Sequence, residues 1–213
     1  KLEQKKSVKD DMIQNMIDLV FKTCIRIGNE ETGTLLSEHV GLVSLTHKHL
    51  HFKNKKVFLI FIGKSGIKHN IEINDKNNIK FLTKCYKNKG DIYLFKYQCP
   101  SKGKSVRITS NDVNNYIKDL WGKEYSCKDI RTYQANIQLI KELMTLKDRS
   151  YKKNIKNATE SSAELLGHSV SICKKNYLCE HINKLYMDNP KKFTSGKKPV
   201  NILYFCIKDY LKT

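Results

Sequence analysis

From Lys56 to Ile73 the sequence reads K-V-F-L-I-F-I, G-K-S-G, I-K-H-N-I-E-I. Two runs rich in β-branched and aromatic residues, separated by four residues with a glycine at each end, have the chemistry of a β-hairpin. The second run alternates Ile67, His69, Ile71 and Ile73 with Lys68, Asn70 and Glu72, the two-residue period of a half-buried strand. The pairing commits this part of the chain to an antiparallel sheet and carries Lys64 outward on the turn. Short strand-like stretches at 41–45 and 49–52 precede it, after a polar connection from Asn29 to Val40.

Most of the remaining chain has helical periodicity. Met12, Ile13, Met16, Ile17, Val20, Phe21 and Cys24 form one apolar face and predict a helix from about Asp10 to Ile27, stopped by Gly28. Arg26 then sits at a helix C-terminus, where the dipole favours a cation. Further helices are expected at 79–86, from Thr109-Ser-Asn-Asp112 through Trp121, from Lys128 to about Leu146, at 155–166 and at 201–211. Residues 92–97 read as a short strand or extended segment, and 98–107 as a flexible basic loop around Pro100-Ser-Lys-Gly-Lys104. No repeat or low-complexity linker divides the chain. The class is α+β, mostly α-helical with a small antiparallel β-sheet, organised as one domain over 1–213.

Charge constrains the partner. Forty Lys and Arg against 21 Asp and Glu give a formal net charge of +19. Self-repulsion on that scale opposes compaction and is retained where an anionic partner is bound. Nucleic acid is the first candidate and an acidic membrane surface the second; lysines interleaved with Tyr and Phe along the whole chain favour nucleic acid. No segment approaches the roughly 18 apolar residues of a membrane span. The seven cysteines form no C-x-x-C pair and their number is odd, which predicts free thiols in a reducing, intracellular compartment. Cys173, Cys179 and His181 lack a fourth ligand and the usual spacing, so no metal site is expected.

The residues with most chemical potential lie in L-L-G-H-S-V-S-I-C-K-K-N-Y, 165–177. Gly167 is a helix stop, Ser169 or Ser171 can cap the next helix, and Tyr177 follows His168 by nine residues. A phenol, an imidazole and the ammonium groups of Lys174 and Lys175 within a short reach suit a phosphodiester. The basic flank points to an exposed, phosphate-facing helix. Arg26, Lys64, and the pair Lys128 and Arg131, which share a helix face, add separated cations upstream.

Taken in order, R-I-G-N-E (26–30), G-L-V-S-L (41–45), F-I-G-K-S-G (61–66), K-D-I-R-T-Y (128–133) and L-L-G-H-S (165–169) to Tyr177 resemble the motifs of type IB DNA topoisomerase catalytic domains. The resemblance is to the compact poxvirus-like viral and bacterial members and covers nearly all of the chain. It implies the shared catalytic-domain fold of type IB topoisomerases and tyrosine recombinases. It also implies Tyr177 as nucleophile, Arg26, Arg131 and His168 on the scissile phosphate, Lys64 as general acid and Lys128 assisting. Asn136 stands where viral members also carry an asparagine. The implied reaction nicks duplex DNA through a 3′-phosphotyrosyl link, lets the strand rotate and reseals it without ATP, metal or other cofactor.

Ser65 after Lys64 follows the bacterial pattern, whereas viral members commonly have an acid there, and the aromatic usual a few residues after the first arginine is missing. Relatives carry a small N-terminal domain that clamps DNA. Nothing before Asp10 can supply it, so the chain is expected to be the catalytic part, a monomer. A viral source would imply a cytoplasmic factory or virion; another source, nucleus or nucleoid. Two other readings stay open. A tyrosine recombinase shares the same Arg, Lys, Arg, His and Tyr set, although it usually has histidine where Lys128 stands. A non-catalytic basic DNA-binding module would make Tyr177 a buried packing residue.

Overall fold

The structure is a computed structural model and describes residues 7–28, 39–88, 92–145, 150–193 and 196–210. The expected connection over 29–38, Asn29 and Glu30 of the first arginine motif, Leu146 and Leu211 lie outside the described residues. The chain divides into two compact units, Lys1–Ile130 and Arg131–Thr213.

The first unit opens with α1 (Val8–Thr23), capped by the Ser7 side chain accepting from the Asp10 amide, with Asp10 and Asp11 in its first turn. Ile13, Met16, Ile17, Leu19 and Val20 form its buried face. The expected extension to Ile27 is corrected: Cys24 turns left-handed at φ 55° and ends the helix. Residues 25–27 are non-helical, and the Leu42 and Val43 amides donate to the Arg26 and Ile27 carbonyls at 2.8 and 3.0 Å. Arg26 is therefore not at a helix end but in a non-helical segment bonded to residues 42–43. Gly28 has φ +78°, and a Cβ built on Gly41 would stand 2.4 Å from the Gly28 Cα, so both positions need glycine.

The hairpin forms as expected. Strands β1 (Leu50–Lys53), β2 (Lys56–Ile62) and β3 (Lys68–Ile73) make an antiparallel sheet in that order. Leu59 pairs with both Leu50 and Ile71 and is fully buried; burying such a side chain contributes about 1.5–3 kcal/mol. Residues 42–44, expected as strand, form a 3-10 turn whose buried Ser44 hydroxyl accepts from the Gly41 amide. Helix α2 (Lys76–Lys87) is capped by Asp75.

The expected flexible loop at 98–107 is a second hairpin instead, β4 (Lys96–Cys99) with β5 (Lys104–Arg107), turned by Pro100–Lys102 and left-handed Gly103. Its long-range partners were invisible in composition: the buried Phe95 and Leu94 precede it and anchor its base in the core. Thr109 and Asp112 form a capping box at the start of α3 (Ser110–Trp121). Helix α4 (Cys127–Thr145) begins in this unit and continues into the next.

In the second unit, α5 (Tyr151–Leu166), α6 (Val170–Asn176), α7 (Glu180–Asp188) and α8 (Pro199–Tyr210) join the rest of α4. Helix α5 starts four residues earlier than expected, at its Ser150 cap, and α7 was not read from the sequence. Leu139, Ile140, Leu143, Ala158, Ile182 and Cys206 form the core. All seven cysteines are free thiols. Burial pushes the Cys85 thiol up to about 12. No described helix is long and apolar enough to cross a membrane.

One histidine makes the first unit sensitive to acid. The Nδ1 of His49 accepts from the Thr46 amide at 2.9 Å, and burial, with His51 and Lys48 nearby, lowers its pKa. The unfolded chain then takes up a proton first as pH falls, so stability is fullest above about 6.5 and declines below it. Denaturant midpoints at pH 7.5 and 5 should show that decline. The decline should shrink in His49→Asn, whose amide oxygen accepts without titrating.

Candidate active site

Helix α5 ends where its sequence says it must. Gly167 adopts φ 61°, and its amide and that of His168 fold back onto carbonyls of the last turn, His168 to Ala163 at 2.9 Å. Ser169 then accepts from the Ile172 amide and starts α6. Its seven residues end at Asn176, with Tyr177 as the C-cap, whose amide donates to the Cys173 carbonyl at 3.0 Å. The Gly167 stop and the Ser169 cap thus set His168 and Tyr177 at opposite ends of one short helix.

Arg131 on α4 joins them. Its Nη1 donates to the Tyr177 hydroxyl at 3.1 Å, and its Nη2 to the Leu166 carbonyl at 2.8 Å. Nη2 also lies 3.3 Å from His168 Nε2. A guanidinium only donates, so this contact requires Nε2 to hold the lone pair. The His168 and Tyr177 rings are 4.9 Å apart, and the guanidinium carbon is 5.3 Å from the Tyr177 centroid. Arg131 is 4% exposed and Tyr177 8%, so this cation and phenol are largely withdrawn from water.

That burial corrects one expectation. Helix α6 does expose Lys174 and Lys175, but Tyr177 is not on an exposed surface. Its ring packs inward because Arg131 holds the hydroxyl from beneath and Asn136 holds the backbone. Asn136 Nδ2 donates to the Tyr177 carbonyl at 2.7 Å and to Thr132 at 2.8 Å, while its Oδ1 accepts from the Cys179 amide at 2.8 Å. Asn136→Ala leaves the Cys179 donor and the Tyr177 acceptor unmet, a cost of about 1–3 kcal/mol for such buried groups. Urea denaturation should show that loss, and hydrogen exchange should quicken at Leu178 and Cys179.

Two partners escaped the sequence reading. The Leu166 carbonyl is one of the unpaired acceptors at a helix end, a signal implicit in the Gly167 stop. Cys173 is fully buried on α6; burial pushes its thiol up to about 11, although the nearby Arg131 charge pulls the other way. In the sequence, its spacing from Cys179 and His181 bears only on a metal, not on a place beside Arg131.

The second unit thus brings together Arg131, Asn136, His168 and Tyr177. The other cations lie in the first unit. Lys128 is exposed in the first turn of α4, three residues before Arg131, so their shared face passes from solvent to interior. Arg26 is half-buried in its non-helical segment, and Lys64 is exposed on the 3-10 turn Lys64–Gly66, where Ser65 has φ 65°. Among the described residues no cluster of three or more His, Cys, Asp or Glu could hold a metal ion.

Residues 1–199 match the family model described as eukaryotic DNA topoisomerase I, catalytic core. The chain is 32% identical over 216 residues to DNA topoisomerase 1B of Acanthamoeba polyphaga mimivirus, covering 96% of this chain and 64% of that protein. It is 26% identical over 215 residues to DNA topoisomerase 1B of Vaccinia virus (strain Copenhagen), covering 98% and 65%. With DNA topoisomerase 1 of Rabbit fibroma virus the identity is 24% over 189 residues, covering 81% and 56%. The chain therefore spans under two thirds of the length of these relatives.

Proposed function

The chain belongs to the DNA topoisomerase I catalytic-core family, and from that membership we propose that it relaxes supercoiled duplex DNA by type IB chemistry. The observation that carries the reading is the buried contact between Arg131 and the Tyr177 hydroxyl, with His168 against both. The Tyr177 oxygen bonds to the scissile phosphorus, the hydroxyl proton passes to solvent water, and the bond from phosphorus to the 5′-oxygen breaks. Lys64 protonates that leaving oxygen. Charge spread over the phosphoryl oxygens is met by Arg26, Arg131 and His168, with Lys128 assisting; fixed donors in a dry site stabilise it strongly. A phosphate oxygen arriving there accepts from the Arg131 Nη2 that now faces His168, and His168 donates to it once Nε2 carries a proton. The 3′-phosphotyrosyl link retains the bond energy, so the freed 5′-hydroxyl reseals the strand after rotation without ATP.

Duplex DNA is the partner that the net charge of +19 suits, with Lys174 and Lys175 exposed beside Tyr177 for backbone phosphates. A tyrosine recombinase would use the same Arg, Lys, Arg, His and Tyr set; Lys128 in place of its usual histidine and the family match favour the topoisomerase. The test is plasmid relaxation at low salt, where phosphate-driven binding is strongest, with EDTA and without ATP. Relaxation with a denaturant-trapped 3′-linked adduct is expected. A folded, DNA-binding chain that yields neither product, even on nicked suicide substrates, overturns the reading in favour of a binding module.

Lys64 has its own signature. Lys64→Ala should slow cleavage by about 10²–10⁴-fold, the range for a lost general acid. With sulfur replacing the 5′-bridging oxygen, the leaving thiolate needs no proton, and single-turnover rates of parent and variant should converge. A defect that persists on the sulfur substrate removes Lys64 from the acid role.

A further inference from the structure

The geometry points to Arg107 as a positioning residue that holds Arg26 in place for the reaction; this rests on Arg26 binding the scissile phosphate, as proposed above. Residues 39–43 form a strap within the first unit. At one end the Val40 amide donates to the Ile62 carbonyl at 2.7 Å, and His39 Nε2 accepts from the Gly66 amide at 3.2 Å. Those two bonds tie the strap to the hairpin that bears Lys64. At the other end the Leu42 and Val43 amides hold the Arg26 and Ile27 carbonyls, and Gly41 touches Gly28 with no room for a Cβ. One short stretch of backbone therefore registers Arg26 and Lys64, two of this unit's three site cations.

Arg107, at the end of β5, secures the strap. Its Nε donates to the Val43 carbonyl at 3.0 Å, the residue whose amide holds Ile27. Its guanidinium carbon lies 3.7 Å over the Tyr93 ring, and Tyr93 is bridged to Thr46, just past the turn. The Nη2 atom is buried and has no hydrogen-bond partner among the described residues. A buried donor left unmet opposes folding, so this arginine is not explained by stability alone, and its buried Nη2 does not face DNA. A planar group that both stacks and donates is what fixes the turn, and lysine does not reproduce it.

The test is a double-mutant cycle on single-turnover cleavage at saturating DNA, with a nicked suicide substrate. Arg107→Ala should lower the cleavage rate by about 10–100-fold, the scale of an ångström-level misplacement of a reacting partner. The DNA concentration giving half-saturation should not change. In an Arg26→Ala background the same substitution should cost nothing further, because its effect runs through Arg26. A merely structural role predicts instead a loss that multiplies in both backgrounds, or one that tracks the melting temperature. Should Arg107→Ala fail to fold, Arg107→Lys, which keeps a donor for Val43, passes through the same cycle. A parental rate in the folded variant, or multiplicative losses, overturns the inference. A parent chain that forms no adduct sinks the proposed function and Arg107's role with it. Impairment by Arg26→Ala but not by Arg107 variants sinks the latter alone.

Discussion

Tyr177→Phe should bind DNA, stay folded and form no covalent adduct. The substitution removes one oxygen, the hydroxyl that accepts from the Arg131 guanidinium and serves as the proposed nucleophile. Losing a nucleophile from a site that acts as a unit costs about 10⁶-fold in rate, so relaxation should fall below detection. Folding should suffer far less. The ring remains, packed 4.9 Å from the His168 ring, while the 3.1 Å bond from Arg131 Nη1 to the hydroxyl is lost. Leaving that donor unmet costs about 1–3 kcal/mol. Denaturing gels read the adduct and thermal melts read the fold. A variant that still yields the 3′-linked adduct would remove Tyr177 from the chemistry. Equal, absent activity in parent and variant, with a large melting shift in the latter, is what a packing tyrosine in a binding module would give.

Arg131→Lys should be nearly as damaging to cleavage as Arg131→Ala, each by about 10³-fold, the scale for one lost preorganised donor to a developing oxyanion. Guanidinium geometry explains the equivalence. Nη1 serves the Tyr177 hydroxyl while Nη2 serves the Leu166 carbonyl and faces His168 Nε2. A lysine brings one nitrogen where two are needed and cannot span these acceptors. Because Arg131 is 4% exposed, Arg131→Ala should also lose stability by leaving the Leu166 carbonyl unpaired, whereas Arg131→Lys restores part of it. Single-turnover cleavage beside denaturant midpoints separates the two effects. A lysine variant cleaving at the parental rate would show that charge alone suffices and that the forked contact does not matter.

The features read most accurately from sequence are those whose physics is local. The hairpin at 56–73 follows from alternation and a four-residue turn; the Gly167 stop, the Ser169 cap and the Thr109–Asp112 box follow from residues within one helical turn of each other. The nine-residue interval from His168 to Tyr177 is likewise a local matter, one short helix between two stops. Family membership also lay in the sequence, in motifs whose order survives without knowing their contacts.

Tertiary structure decided what depends on distant partners. Helix α1 stops at Cys24 rather than running to Ile27, because the amides of Leu42 and Val43, far along the chain, take the Arg26 and Ile27 carbonyls. The basic stretch at 98–107 becomes a hairpin by cross-strand bonds that no local period announced. Tyr177 is buried rather than presented, because an arginine 46 residues earlier holds its hydroxyl and Asn136 clasps its backbone. Propensity and capping act over a turn or two and are written in adjacent residues. A hydrogen bond across dozens of residues is specified by the whole packed core, and only there does the chain choose which carbonyl, hydroxyl or ring an arginine meets.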